Sequence, residues 1–134
     1  MIETVRLSDR ARNQLITVKK RTGVANWNII CRWAFLLSLK DKSKPALEKI
    51  ELNGAIEMTW RTFAGTNDKL FLALLMKRLK DDGIALDKET VNDYFKTYLH
   101  RGISFLSGSK QKKLIDYVKL LTCLGVYVSL SEAS

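Results

Sequence analysis

The chain has 134 residues, of which 46% are apolar, enough for one domain with a real core. No run approaches the roughly 20 apolar residues that cross a bilayer, and the charged start MIETVRLSDR is unlike a secretory signal; two cysteines without a disulfide or metal pattern predict a cytoplasmic protein. The formal charge is +9, set unevenly: residues 1–50 hold eleven Lys and Arg against four Asp and Glu, the remainder twelve against ten, and such a surface suits polyanions, nucleic acid before anionic membrane.

In chain order, Ile2–Leu7 alternates, with Ile2, Thr4 and Arg6 on one side and Glu3, Val5 and Leu7 on the other, and this predicts a short strand. Ser8 is a good N-cap, Asp9 suits the helix dipole, and the helix runs to about Arg21 with Gly23 as its stop. Its inward stripe is Ala11, Leu15, Val18 and Thr22. Asn26 caps a second helix, Trp27–Lys40, which is apolar on all sides and must be buried on all sides; a neighbouring subunit is one source of that cover. Asp41–Asn53, with the only proline, Pro45, reads as a linker too short to divide domains. Ala55–Phe63 reads as extended, ending at Gly65. Asn67 or Asp68 caps a helix through Leu79 with Leu70, Leu74 and Met76 or Lys77 at helical spacing, stopped by Gly83. Asp87 opens Lys88–Phe105, presenting Val91, Tyr94, Phe95, Tyr98 and Leu99. Ser107, Gly108 and Ser109 break it, and Lys110–Leu124 forms a last helix before a short strand or frayed tail, Gly125–Ser134. The whole reads as one mainly α domain over residues 1–134: a compact helical domain with a short N-terminal strand, two helices, and about three more.

Catalytic chemistry finds little footing. Cys31 and Cys123 lie in apolar helical patterns, far apart and without a CxxC or Cys/His cluster, so they read as buried thiols. His100 is the only histidine and reads as a helical residue. Asp81, Asp82, Asp87, Glu89 and Asp93 surround a break between helices; they could hold a metal, yet they read as helix-end solvation followed by capping. No phosphate-cradling glycine loop is present. The chain therefore reads as a non-enzyme that needs no cofactor or metal.

The binding signal is the first helix. Arg12 and Lys19 flank its stripe on one side, Arg10 and Arg21 on the other, and Lys20 points away; Arg6 precedes it. A basic fringe of this kind suits phosphates spaced along a groove, with affinity falling steeply with salt. Lys110, Lys112 and Lys113 form a second cluster at a predicted helix start. Strand, helix, helix also invites comparison with ribbon–helix–helix regulators, in which two chains pair their strands in the major groove; Thr4 and Arg6 would then read bases.

Beyond these local signals, MIETVRLS (Met1–Ser8), NQLITVKKRTG (Asn13–Gly23), NWNIICRWA (Asn26–Ala34), MTWRTFAG (Met58–Gly65) and LHRGISFL (Leu99–Leu106) together resemble the DndE family, with agreement fading over Asp41–Gly54 and the C-terminal tail. The resemblance implies a small helical protein with a ribbon–helix–helix-like N-terminal part, assembled as a homotetramer. It implies a role in DNA phosphorothioation, the sulfur modification of DNA associated with restriction-modification, alongside a cysteine desulfurase, an adenylating sulfurtransferase-like protein and an ATPase. It also implies binding of double-stranded DNA, with preference for nicked duplex, through Lys19, Lys20 and Arg21, with Arg10 and Arg12 as further contacts, and it carries over no catalytic residue. A scaffold for the sulfur-transfer proteins is the remaining alternative.

Overall fold

A computed structural model describes residues 2–47, 49–53 and 56–108. Its elements follow from local signals. Strand β1 (Thr4–Arg6) leads into helix α1 (Asp9–Thr22), where the Ser8 hydroxyl accepts the Ala11 N–H at 3.1 Å, and Gly23 ends the helix in the left-handed conformation at φ 73°. Ala11, Leu15, Val18 and Thr22 are buried as their spacing requires. Helix α2 (Trp27–Lys40) has the predicted bounds. Val5 and Leu7 are buried while Thr4 and Arg6 are exposed, but Ile2 is buried as well and Glu3 is exposed, so the strict alternation breaks at the chain start.

The strand pairing differs from a two-chain ribbon. Strand β2 (Glu57–Thr59) pairs antiparallel with β1 in the register Thr4 to Thr59, Val5 to Met58 and Arg6 to Glu57, so the ribbon is completed within one chain. The predicted extended segment Ala55–Phe63 is accordingly only half right. The Thr59 hydroxyl caps the Thr62 N–H at 3.1 Å and turns Trp60–Ala64 into a short helix, α3.

Helix α4 (Asp68–Asp81) follows a single 3₁₀ turn, and its inward face is corrected too. Phe71, Leu75 and Leu79 are buried, while Leu70 and Leu74 are 53% and 36% exposed. Both stripes have i, i+4 spacing one residue out of phase. Phe71 decides between them, because its ring joins Phe35 and Phe63 in the core. The helix ends with Gly83 N–H on the Lys80 carbonyl and Ile84 N–H on the Leu79 carbonyl, around a left-handed Gly83. Helix α5 (Lys88–Ser107) runs two residues beyond the predicted Phe105, with the Asp87 carboxylate accepting the Thr90 N–H at 3.1 Å as its cap.

Helix α2 is the centre of the molecule. Ile29, Ile30, Cys31, Trp33, Ala34 and Phe35 are all buried by this chain itself, chiefly by α5, α3 and α1. Most of the cover that its all-round apolar surface demands thus comes from within the chain, with Trp27, Leu36, Leu37 and Leu39 half-buried. Phe35, Phe63, Phe71, Phe95 and Trp60 form one aromatic cluster with ring centroids 5.3–6.1 Å apart. The predicted helix Lys110–Leu124 and the tail Gly125–Ser134 lie outside the described residues.

Candidate nucleic-acid interface

With its stripe sunk against α2 and α5, α1 lies on the surface and shows its basic fringe outward. The fringe divides into two kinds. Arg10, Arg12 and Lys20 are exposed. Lys19 instead stacks its ammonium 4.0 Å over the Trp27 ring, and Arg21 donates from Nη1 to the Ser107 carbonyl at 2.8 Å, tying the end of α1 to the end of α5. Arg6 stands apart on β1, exposed and 3.4 Å from the Glu57 carboxylate across the strand pair. That contact draws the proposed base-reading arginine into a cross-strand pair. Lys110, Lys112 and Lys113 lie outside the described residues.

Beneath the N-terminal half of α1 opens a cleft of about 720 Å³. Arg10 and Gln14 of α1, Ser43 and Lys49 of the following segment, and His100 and Arg101 of α5 all line it, with Asp9 and Glu51 among them. The histidine is a joint between helices. Its Nδ1 lies 2.7 Å from the Lys96 carbonyl, and its Nε2 accepts the Ser8 N–H at 3.2 Å. Burial lowers its pKa below the ordinary histidine value, which favours the neutral ring that this geometry requires.

The acidic residues between α4 and α5 are dispersed over structural tasks. Burial alone would raise the Asp82 pKa, but hydrogen bonds donated by the Tyr98 hydroxyl at 2.8 Å and by Arg78 Nε at 2.9 Å outweigh it and hold the carboxyl below its ordinary value. Asp87 caps α5 and is lowered by the Thr90 hydrogen bonds. Asp81 pairs with Lys77, and Asp93 lies 3.9 Å from Lys96. Among the described residues no cluster of His, Cys, Asp and Glu is arranged to hold a metal ion. Cys31 is wholly buried, and desolvation pushes its thiol up to about 12; Cys123 lies outside the described residues.

Sequence reasoning missed the arginines that build the scaffold. Arg32, buried in α2, donates to the Phe63 and Thr62 carbonyls and anchors α3. Arg78 and Arg101 flank Tyr98, with guanidinium carbons 5.3 and 5.4 Å from its ring centre. The available signal was position: Arg32 interrupts an apolar run, and Arg101 follows Tyr98 by one helical turn.

Fold and surface together define a small helical protein that presents a cationic helix beside a cleft. A family model described as DNA sulphur modification protein DndE matches residues 4–113, and the chain belongs to the DndE family. It shares its fold with the crystal structure of DndE from Escherichia coli B7A, a protein involved in DNA phosphorothioation modification, at a TM-score of 0.66 and 22% identity over 79% of this chain and 98% of that one. No curated protein matches it in sequence. No helix among the described residues is long and apolar enough to cross a membrane.

Proposed function

We propose that this chain is a DNA-binding subunit, without catalysis of its own, of a system that replaces a non-bridging phosphate oxygen of DNA with sulfur. The observation that carries this reading is the exposed set Arg10, Arg12 and Lys20 on a helix whose opposite stripe is fully buried. Family membership supplies the system, and the cationic helix supplies the contact. Phosphates are the fitting partners for cations spread along a helix, because each contact releases condensed counterions. A nick lowers the cost of bending duplex DNA, so a surface with several basic contacts gains more from a nicked site than from an intact one. In this reading the chain works in the cytoplasm as a homotetramer, beside the cysteine desulfurase, the sulfurtransferase-like protein and the ATPase. The ribbon–helix–helix regulator loses ground, because β1 is already paired within the chain.

The test is a titration against one 30-base-pair duplex, intact and singly nicked, over a range of salt. Tighter binding to the nicked form with a steep salt slope is expected. Absence of binding to either form would sink the reading and leave the basic helix as a docking surface for the sulfur-transfer proteins.

A further inference from the structure

The chain that leaves α2 is held down by two guanidinium groups. Arg78 donates to the Leu39 and Ser43 carbonyls, both at 2.8 Å. Arg101 donates to the Ser38 carbonyl at 2.6 Å, to the Ser43 carbonyl at 2.8 Å and to the Ser38 hydroxyl at 3.0 Å. The Asp41 carboxylate closes the turn by accepting the Ser43 N–H at 2.8 Å and its hydroxyl at 2.6 Å. A loop that only solvates a surface has no need of this anchoring, and the residues it carries are informative. Lys40, Lys42 and Lys44 are all exposed, and among the described residues none of them joins an ion pair. The neighbouring carboxylates are engaged elsewhere: Asp41 with Ser43, and Asp82 with Arg78 and Tyr98, although Asp82 still feels the Lys44 charge. Three lysines above two arginines therefore outweigh two acids. Ser43 of this segment and Lys49 beyond it line the same cleft as Arg10 of α1, which Asp9 and Glu51 also line.

We propose that the arginine-anchored segment 40–44 is a second surface for the phosphodiester backbone, so that DNA bound along α1 is also contacted by a second element bordering the same cleft. The inference rests on the DNA-binding reading above and adds to it a site outside α1. Anchoring the backbone in advance reduces the ordering cost that a mobile lysine loop incurs on binding. Arg78 and Arg101 are positioning residues here; the lysines make the contact.

The experiment compares the wild-type chain, the double variant Lys42→Ala/Lys44→Ala and an equal-charge control, Lys69→Ala/Lys88→Ala, on the same duplex from 0.05 to 0.3 M salt. Each lysine–phosphate contact contributes about 0.9 to the slope of log affinity against log salt. The loop variant is expected to flatten that slope by about 1–2 and to lose about tenfold in affinity per contact near 0.1 M salt, with the control much closer to wild type. These lysines are exposed, so the thermal midpoint stays unchanged and the readout is binding alone. If Lys20→Ala weakens binding while the loop variant matches the control, the second surface is wrong and the α1 reading stands. If the wild-type chain does not bind duplex at all, both fall together.

Discussion

His100 settles the start of α1 from 92 residues away, by accepting the Ser8 N–H that no helical carbonyl can satisfy. The role requires a neutral ring, since a protonated Nε2 would turn a donor against a donor. Its folded pKa is depressed by burial below an unfolded value of about 6.5. The unfolded chain therefore takes up the proton first as pH falls, and the contribution is present above pH 6.5 and lost on going below it. The carboxyls of Asp41, Asp82 and Asp87 are lowered, so they titrate further down and leave this window to the histidine. Urea midpoints at pH 7.5 and 5.0 should fall more for wild type than for His100→Gln, whose amide oxygen can accept the same N–H without titrating; parallel curves would refute the role. Gly102 shows a steric limit of the same kind. A Cβ there would lie 1.8 Å from the Ala34 carbonyl oxygen, backbone that cannot swing aside. Gly102→Ala should destabilise the fold by about 3 kcal/mol, at the upper end of overpacking costs, and thermal unfolding will show it.

At the scale of the element, α1 combines a cap, a stripe and a fringe, and substitutions separate them. Ser8→Ala should cost about 1 kcal/mol of stability with little effect on DNA affinity at temperatures where the fold is intact. Lys20→Ala should weaken DNA binding and leave the thermal midpoint alone. Lys19→Ala should lower both, because its ammonium also covers Trp27. The helices were legible in the sequence because their signals are local: Ser8, Gly23, Gly83 and Asp87 sit within a turn of the groups they satisfy. The face of α4 was not legible, since Leu70/Leu74 and Phe71/Leu75 have the same spacing and only the ring partners Phe35 and Phe63 distinguish them. The strand-to-helix change at Trp60 turned on one hydroxyl, Thr59, inside a β-branched and aromatic run. In the candidate site, the fringe of α1 followed from helical geometry, whereas the anchoring by Arg78 and Arg101 joins residues 35 and 58 positions from Ser43 and left no local trace.

For the whole molecule, a net charge of +9 on 134 residues sets two salt effects against each other. Raising salt from 0.05 to 0.3 M relieves self-repulsion and should raise the thermal midpoint, while DNA affinity falls over the same range. A midpoint that falls with salt would place the dominant electrostatics in the Arg78–Asp82 pair and its like. In the proposed homotetramer the contacts between chains would lie on the surface, because most of α2 is already covered. Leu70 and Leu74 form an uncovered apolar pair on α4, and a double change to aspartate should leave the fold intact and shift a tetramer toward smaller species in sedimentation.

The link from Ser8 to His100 also orders events in time. A ribosome adding about 5–20 residues per second needs several seconds to pass from one to the other. Gln14 waits as long for Ser104, and Arg21 for Ser107. Throughout that interval the first helix has its cationic side but lacks the α5 part of the floor beneath its apolar side. The nascent chain thus displays its cationic helix before it owns the whole frame that holds it, and that frame closes only when α5 leaves the exit tunnel.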